Sequence, residues 1–408
     1  MPGVHKQILD NNGRDLFNRT SRHSNSSTSR RWTESSSSKI RGVNIGSLFV
    51  FEPWLAGTEW KSIGCKGYKS EFDCVSALGQ DAANTAFQKH WSTWYTEDDF
   101  TEMVSYGLNT IRIPVGYWMY ESLVDSSSEY FPQGGFAYLE QVCNWAANAG
   151  LYIIIDLHGA PGAQVSTNAD TGQYASTAGF YQTYQYTRAV EFLTWMTTNI
   201  HSNNNFRNVG TLEIVNEPIQ NSKTVSTMLS SYYPLAFAAI RATELGLGIS
   251  TSSSSSQLNI MVMSQKWGSG NPTKYLSSNY TSTDISYDDH RYLKWDSTVV
   301  PVSQSSYISA SCSDNRGNAS DTAPVIVGEF SLSVADSVEN TSDWKPSNNP
   351  TFYKNWFAAQ VMAYEKSNGW IMWAWKNQLG DLRWGYQAAV QAGVIPKNLD
   401  HVYDMNVC

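Results

Sequence analysis

The feature that most constrains the fold is an alternation of short apolar segments with longer helical patterns along most of the chain. The apolar segments are rich in β-branched residues and lack a polar alternation, as is typical of parallel strands buried on both faces. Eight such segments occur, at 41–49, 109–116, 151–159, 210–218, 258–264, 284–293, 323–331 and 369–376. Helical patterns lie between them at 96–107, 136–150, 187–201, 234–246 and 351–369.

Eight strands with intervening helices predict an α/β fold, a (β/α)8 TIM barrel formed by residues 40–408 as a single domain. A doubly wound sheet is the alternative, and it is disfavoured because no GxGxxG turn follows the first strand. Residues 1–39 are rich in Ser, Asn and Arg and are predicted to form a flexible tail. The segment 160–186 is too long for a plain connector, so we expect it to lie over the active face.

Composition limits the partners of the chain. The 408 residues include 28 basic and 36 acidic ones, a formal net charge of −8, whereas nucleic-acid binding needs a basic field. Charged residues make up only 16% and aromatic residues 13%, which favours an uncharged substrate whose rings stack on aromatic side chains. No apolar run has the length of a membrane span. We therefore predict no nucleic-acid partner and no membrane span.

The five cysteines suggest two disulfides and one thiol. Cys65 and Cys74 flank a short loop that a disulfide between them would staple, and Cys312 and Cys408 are positioned to tie down the C-terminus. Cys143 lies in an apolar helical pattern and is predicted to be a buried thiol. Together with five Asn-x-Ser/Thr sequons, these pairs favour an extracellular or cell-wall protein, although no signal peptide is recognisable at the N-terminus.

Polar and aromatic side chains gather at the C-terminal ends of the predicted strands, which form the active face of such a barrel. These candidates are Arg112, His158, Asn216, Glu217, His290, Tyr292, Glu329 and Trp373. Taken singly, each has a structural explanation, such as a turn, a satisfied core histidine or a packed indole. Arg112 in particular is expected to be buried, and must then be paired with an acidic residue. Their coincidence at one end of the barrel favours a catalytic site.

Glu217 and Glu329 are the two carboxylates in this set, on strands four and seven, which approach one another across the barrel mouth. Two opposed carboxylates are what glycoside hydrolysis requires. One protonates the leaving oxygen, and the other attacks the anomeric carbon or activates a water. A separation of about 5–5.5 Å gives retention and about 6.5–9.5 Å gives inversion, so the sequence leaves the stereochemistry open.

The remaining candidates suit the same chemistry. Arg112 and Tyr292 are able to hydrogen-bond a carboxylate and keep it ionised. Asn216 is placed to bind a sugar 2-hydroxyl, and Trp373 to stack on a pyranose ring. His158 and His290 are expected to be neutral donors. Together with Asp288 and Asp289, the two histidines also suggest a metal-binding cluster. The cluster lacks the spacing of a metalloprotease motif, so we predict no metal and no cofactor.

Longer strings surround these residues: RGVNIGSLFVFEPW, HWSTWYTEDDF, GLNTIRIPVGYW, IDLHGAPGAQ, EIVNEP, DHRYLKW, VGEFS and GWIMWAWK. Over residues 40–408 they resemble glycoside hydrolase family 5, in the group that holds fungal β-glucanases. FEPWLAGTEW, SEFDCVSALGQ and the tail WAWKNQLGDLRWGYQAAVQAGVIP are most similar to the endo-β-1,6-glucanase branch, and exo-β-1,3-glucanases are close cousins. Residues 1–39 have no counterpart that the resemblance identifies.

The resemblance implies a role for each matching residue. Glu217 would be the acid/base with a raised pKa, and Glu329 would be the ionised nucleophile of a retaining double displacement. The nucleophile would be held by Arg112, His290 and Tyr292. The glucosyl unit would be contacted by His158 and Asn216 and would stack on Trp373. The sugar on the nonreducing side would be contacted by Glu52. Phe330 stands where many relatives carry Trp, so we expect a changed subsite wall.

We therefore predict a monomeric, metal-independent, retaining glycosidase that cleaves internal β-1,6-glucosidic bonds in a β-glucan such as pustulan or the fungal-wall polymer. It is expected to be secreted or held in the cell wall. Two alternatives remain: an exo-β-1,3-glucanase that releases glucose, and a catalytically inactive β-glucan-binding wall protein.

Overall fold

Eight parallel strands close into a barrel in chain order, with β8 paired back to β1. The strands of this computed structural model are β1 (Ile40–Asn44), β2 (Thr110–Gly116), β3 (Tyr152–Gly159), β4 (Val209–Glu213), β5 (Asn259–Met263), β6 (Ile285–Arg291), β7 (Val325–Phe330) and β8 (Gly369–Met372). The TIM-barrel prediction is confirmed. The structure describes residues 39–250, 256–277, 280, 284–316 and 323–408, so the predicted tail lies outside it except for Lys39.

Helices surround the barrel. They are α1 (Gly57–Ser62), α2 (Glu71–Leu78), α3 (Gln80–Thr93), α4 (Glu97–Ser105), α5 (Gly135–Ala149), α6 (Thr183–Ser202), α7 (Tyr233–Gly246), α8 (Gln304–Ser313), α9 (Pro350–Tyr364), α10 (Tyr386–Gln391) and α11 (His401–Asp404). The five predicted helices correspond to α4, α5, α6, α7 and α9. The sequence pattern missed α8 because this Ser-rich helix buries only Tyr307 and Ser311, too few positions to show a helical period.

The predicted strands extend too far at their C-terminal ends. β1 ends at Asn44, β4 at Glu213 and β8 at Met372, each four or five residues before the end of its apolar segment. The chain leaves the hydrogen-bonded ladder at the barrel rim, where the backbone becomes irregular although its side chains remain buried. This irregular rim carries several of the candidate catalytic residues, Glu217 among them.

The barrel interior is filled in layers. Its lower part is an apolar cluster of Ile40, Ile154, Met261, Ile326 and Ile371. Successive side chains of a strand alternate between its two faces, so residues two positions apart point the same way. On β3, the residues that point into the barrel are therefore Ile154, Asp156 and His158. Ile154 lies in the apolar layer, Asp156 in a polar layer above it, and His158 at the mouth of the barrel.

A separate and larger apolar core fills the space between the strands and the helices. Trp370 and Trp375 are fully buried in it, so both serve packing. Phe330 also lies here, with its ring 5.3 Å from that of Tyr364 and 5.8 Å from that of Trp370. The expectation that Phe330 changes a subsite wall is therefore wrong, because Phe330 and its neighbour Glu329 point to opposite faces of β7.

Both predicted disulfides are present, Cys65–Cys74 and Cys312–Cys408, and Cys143 is a buried thiol. The second bridge joins α8 to the C-terminal residue across a sequence separation of 96. Within the described ranges, the structure shows no helix whose length and apolar character would allow it to cross a bilayer.

Removing the long-range disulfide is expected to destabilise the fold more than removing the short one. In the chain-entropy model, Cys312→Ser with Cys408→Ser lowers the free energy of unfolding by up to about 4.7 kcal/mol, and Cys65→Ser with Cys74→Ser by up to about 2.7 kcal/mol. Urea unfolding of the two double variants beside the parent protein measures both losses. An unchanged midpoint in either variant contradicts a stabilising role for that bridge.

Candidate active site

A cleft of about 730 Å³ lies at the C-terminal ends of the strands. Seven of the nine predicted site residues line it: Glu52, His158, Glu217, His290, Tyr292, Glu329 and Trp373. The other two, Arg112 and Asn216, are fully buried, and Arg112 Nη2 donates a hydrogen bond to Asn216 Oδ1. Asn168 and Asp170 from the long segment 160–186 also line the cleft, which confirms the expected position of that segment.

The two candidate catalytic carboxylates converge in this cleft. A carboxylate oxygen of Glu217, one of Glu329 and a ring nitrogen of His290 all lie within 4.8 Å of one another. Glu329 lies in β7 and pairs laterally with His290 in β6. Glu217 follows β4 with a φ of 35°, a left-handed conformation that is unusual for a residue with a side chain. Such local strain is found preferentially at functional sites.

Both oxygens of Glu329 accept a hydrogen bond, one from the fully buried Arg112 and one from the half-buried Tyr292. Arg112 Nη1 donates to Oε1 at 2.9 Å, and the Tyr292 hydroxyl donates to Oε2 at 2.7 Å. Burial and the charge of Glu329 raise the pKa of Tyr292 well above its ordinary value, so the phenol keeps its proton. The predicted roles of Arg112 and Tyr292 thus match the geometry, which holds Glu329 in one orientation.

His290 contacts Glu217 more closely than Glu329. Its Nδ1 lies 2.6 Å from Glu217 Oε1 and 3.5 Å from Glu329 Oε2. Its Nε2 lies 3.3 Å from Asp288 Oδ2. The role of His290 in holding Glu329 stays a prediction, since the imidazole bridges Asp288 and Glu217 and has Glu329 as its more distant partner.

The charges in the cleft differ from those expected. Burial disfavours the His290 cation, but the charges of Glu329 and Asp288 outweigh this and raise its pKa well above the ordinary value. Burial raises the pKa of Glu217, yet the hydrogen bond and charge of His290 hold it below its ordinary value. The pKa of Glu329 is raised by burial, which His290 and Arg112 offset only in part.

Two expectations are thereby corrected: a neutral His290 and a raised pKa for Glu217. The physical reason is the 2.6 Å contact between Glu217 and the imidazole. Two groups at that distance share a proton, and the nearby carboxylates favour its placement on the histidine. The proton that an acid/base needs is thus held by the Glu217–His290 pair.

Below the cleft, Arg112 is the hub of a buried polar layer. Its hydrogen-bond and ion-pair partners are Glu213 (2.9 Å), Asp156 (3.0 Å), Glu329 (2.9 Å), Asp288 (3.5 Å), Asn216 (2.8 Å) and Asn44 (3.1 Å). The prediction that a buried Arg112 must have an acidic partner is confirmed. Asp156 and Glu213 were not identified from the sequence as partners, although each stands on a strand beside a candidate residue.

Two buried polar atoms of cleft-lining residues have no hydrogen-bond partner, Glu52 Oε2 and Asp170 Oδ1, and Nδ2 of the fully buried Asn216 has none either. Buried polar atoms are normally paired, so unpaired ones that face a cleft mark positions for ligand hydroxyls. Burial, with the charge of Glu217, raises the pKa of Asp170 to about 7. The sequence analysis missed Asp170, since nothing in the loop pattern of 160–186 distinguishes one polar residue from another.

His158 and Trp373 form one wall of the cleft, with ring centroids 5.5 Å apart and planes inclined by 14°. His158 Nδ1 is held by Asp156 Oδ2 at 2.7 Å. Burial opposes the charged form of His158, but the charge and hydrogen bond of Asp156 outweigh it and raise the pKa of His158 above its ordinary value. Four further tryptophans, Trp54, Trp267, Trp295 and Trp384, line the cleft.

The triad of Glu217, His290 and Glu329 has the spacing of a cation-binding set, and it is the one such group among the described residues. A histidine must be neutral to bind a metal, whereas the pKa of His290 is raised well above its ordinary value. Glu329 is also already bonded to a guanidinium and a phenol. The donor set therefore suits proton transfer better than metal binding.

The barrel and its paired carboxylates define the architecture of a glycoside hydrolase. Residues 75–379 match the family model described as Cellulase (glycosyl hydrolase family 5). The chain belongs to this family, which confirms the resemblance found in the sequence.

The comparisons also give close relatives. The chain is 59% identical to the glucan endo-1,6-beta-glucosidase B of Emericella nidulans over 100% of this chain and 96% of the relative. Residues 1–39 thus have a counterpart there, contrary to expectation. It is 27% identical to the probable glucan 1,3-beta-glucosidase A of Aspergillus fumigatus, over 90% of each chain. The rutinosidase structure from Aspergillus niger shares the fold, with a TM-score of 0.65 and 19% identity over 88% of this chain and 98% of that one.

Loss of the Arg112 side chain is expected to destabilise the barrel. Arg112→Leu leaves Glu213 buried without its cation, which costs about 3–5 kcal/mol when one partner of a buried ion pair is removed. Arg207→Leu is the control, since the hydrogen bonds of that guanidinium go to amide oxygens only. Denaturant unfolding measures both variants, and equal losses contradict the role of Arg112 as an electrostatic hub.

Proposed function

We propose that the protein is an endo-β-1,6-glucanase that hydrolyses its substrate with retention of anomeric configuration. Glu329 is the nucleophile and Glu217 is the acid/base. The observation that carries this proposal is the convergence of the two carboxylates, since one oxygen of each lies within 4.8 Å of the other. So close an approach favours double displacement, in which the carboxyl groups are about 5–5.5 Å apart, over inversion at about 6.5–9.5 Å.

In the first step, a carboxylate oxygen of Glu329 attacks the anomeric carbon while Glu217 protonates the departing glycosidic oxygen. Arg112 and Tyr292 hold Glu329 in place for the attack. The negative charge of Glu329 disappears as the ester forms, and with it a main stabilisation of the His290 cation. The proton shared across the 2.6 Å contact then moves toward Glu217 and on to the leaving oxygen.

In the second step, Glu217 acts as a base. It removes a proton from a water that attacks the anomeric carbon, the ester bond to Glu329 breaks, and the sugar leaves with its original configuration. The unpaired Nδ2 of Asn216 is placed to donate to the sugar 2-hydroxyl, a contact that strengthens in the transition state. The indole of Trp373 supplies the stacking surface for the pyranose ring.

The substrate assignment is supported by the relatives and by the chemistry of the cleft. A relative that is 59% identical over the whole chain is named glucan endo-1,6-beta-glucosidase B. Trp54 and Trp295 are 44% and 63% exposed at the cleft, so their ring faces are available to neutral sugars. A β-1,6-glucan of the fungal wall, or pustulan, is the substrate that we infer.

We further propose that the enzyme acts outside the cytosol, as a secreted or wall-bound monomer. Two disulfides are typical of an oxidising compartment. Asn340, in the one sequon whose Asn is among the described residues, is exposed.

Neutralising the nucleophile is expected to abolish turnover without abolishing binding. Glu329→Gln keeps the size of the side chain but removes the attacking charge, so pustulan hydrolysis falls by at least about 10⁴-fold while the polymer is still retained in a binding assay. Glu97→Gln, an exposed carboxylate on α4, is the control and keeps full activity. Undiminished hydrolysis by Glu329→Gln ends the assignment.

Removing the acid/base is expected to give a leaving-group-dependent defect. Glu217→Ala is slow on pustulan, where the departing oxygen needs a proton, and much less impaired on an aryl glucoside whose leaving group needs none. Azide should rescue the variant by attacking the glycosyl-enzyme without base assistance. A uniform loss on both substrates, unaffected by azide, contradicts the role.

Product analysis distinguishes the three functions considered. Pustulan and laminarin are incubated in parallel, and products are sized and followed by proton NMR. A ladder of oligosaccharides from pustulan, with the β anomer appearing first, supports the proposal. Glucose alone, released from laminarin, indicates an exo-β-1,3-glucanase, and binding without any product indicates an inactive wall protein.

A further inference from the structure

We propose that Asp288 is a positioning residue that acts through His290. Its carboxylate keeps Nε2 of the imidazole protonated, which reserves the opposite nitrogen, Nδ1, for the proton shared with Glu217. The inference rests on the proposed function, since it assigns a role in the proton transfer of Glu217. Asp288 does not line the cleft. It is fully buried and lies two residues before His290 on β6.

The geometry forms a line of three groups. Asp288 Oδ2 is 3.3 Å from His290 Nε2, and His290 Nδ1 is 2.6 Å from Glu217 Oε1. Asp288 and His290 are two residues apart on one strand, so both side chains point into the barrel. An ionised carboxylate accepts hydrogen bonds only, so the imidazole must donate to it through Nε2.

Gly328 on the neighbouring strand fixes the Asp288 carboxylate. Its backbone N–H donates to Asp288 Oδ1 at 2.9 Å. A Cβ at position 328 would lie 2.1 Å from that oxygen, far inside van der Waals contact, so only glycine permits this approach. One oxygen of Asp288 is thus anchored to β7, and the other is left facing His290.

The consequence concerns the location of one proton. When Nε2 is protonated and donates to Asp288, Nδ1 has two possible states. It either accepts a hydrogen bond from a protonated Glu217 or carries the proton itself and donates to an ionised Glu217. Both arrangements keep a transferable proton between the two residues. Without a carboxylate below it, a neutral imidazole can place its single proton on Nδ1 instead, and that proton cannot move to Glu217 without leaving an imidazolate.

Other charges also face this line and must be separated from the effect of Asp288. Arg112 on β2 lies 3.5 Å from Asp288, and Glu329 on β7 lies 3.5 Å from His290 Nδ1. Glu213 on β4 forms an ion pair with Arg112, as Asp288 does, and the negative charges of Glu213 and Asp288 also repel each other. Asp289, next on the strand, is turned to Arg316 and Ser264. Asp156 offers a matched control, because it is equally buried, also pairs with Arg112 and supports the other histidine, His158.

The test compares Asp288→Asn with Asp156→Asn, since each removes one buried negative charge beside Arg112. For Asp288→Asn, kcat on pustulan falls by about 10²-fold, and the alkaline limb of the kcat/KM profile moves down by about one pH unit or more. On a dinitrophenyl β-glucoside, whose leaving group needs no proton, the loss is smaller than tenfold. Asp156→Asn leaves the alkaline limb in place and acts mainly on KM.

An unshifted alkaline limb in Asp288→Asn overturns the inference, and so does an equal shift in Asp156→Asn, which would reveal a general charge effect. Gly328→Ala is a second variant that displaces the carboxylate without changing its charge, and it should reproduce the pH shift. Hydrolysis of pustulan by the unchanged enzyme reports on the proposed function separately from all three variants.

A measurement on the unchanged protein avoids dependence on variant folding. Nitrogen NMR of protein labelled in its histidines, with His290 assigned by comparison with His290→Gln, reports the protonation of each ring nitrogen. A protonated Nε2 throughout the active pH range supports the inference. An unprotonated Nε2 at the pH of maximal activity overturns it.

Discussion

The buried guanidinium of Arg112 is the interaction on which the site depends. It lies in the middle of the barrel, between an apolar layer below and the cleft above, and its donors reach carboxylates on four other strands. A charge in that position is stable only when it is paired and hydrogen-bonded. The same contacts fix Glu329 directly and Asn216 through its amide oxygen, so burial of one cation orders both the proposed nucleophile and the amide proposed to bind the sugar.

Each of the two cleft histidines is supported by a carboxylate on its own strand. Asp156 and His158 on β3, and Asp288 and His290 on β6, are each two residues apart, so each carboxylate supports its histidine from the layer beneath. His158 then faces the sugar-binding wall beside Trp373, and His290 faces Glu217. In the proposed mechanism, the same local arrangement thereby supports sugar binding on one side of the cleft and proton transfer on the other.

The sequence predicted the barrel because eight apolar segments and their intervening helices leave few other architectures, and it predicted the paired carboxylates because both follow such segments. It did not predict the strand ends, since Asn216 and Glu217 stay buried or half-buried after the hydrogen-bonded ladder has ended and so look like strand. Asp156 and Glu213 were not predicted to belong to the site, because the sequence alone does not show which buried cation a carboxylate pairs with. The pKa directions failed for a related reason, since the 2.6 Å contact between Glu217 and His290 joins residues 73 apart in the sequence.

The central claim is that Glu329 forms a covalent bond to the substrate. Mass spectrometry of the enzyme treated with an activated 2-deoxy-2-fluoro-β-glucoside tests it most directly, because the fluorine slows release of the glycosyl group. The account predicts one added fluoroglucosyl unit, located on the peptide that contains Glu329. An enzyme that hydrolyses β-glucan but becomes labelled on another residue would contradict it.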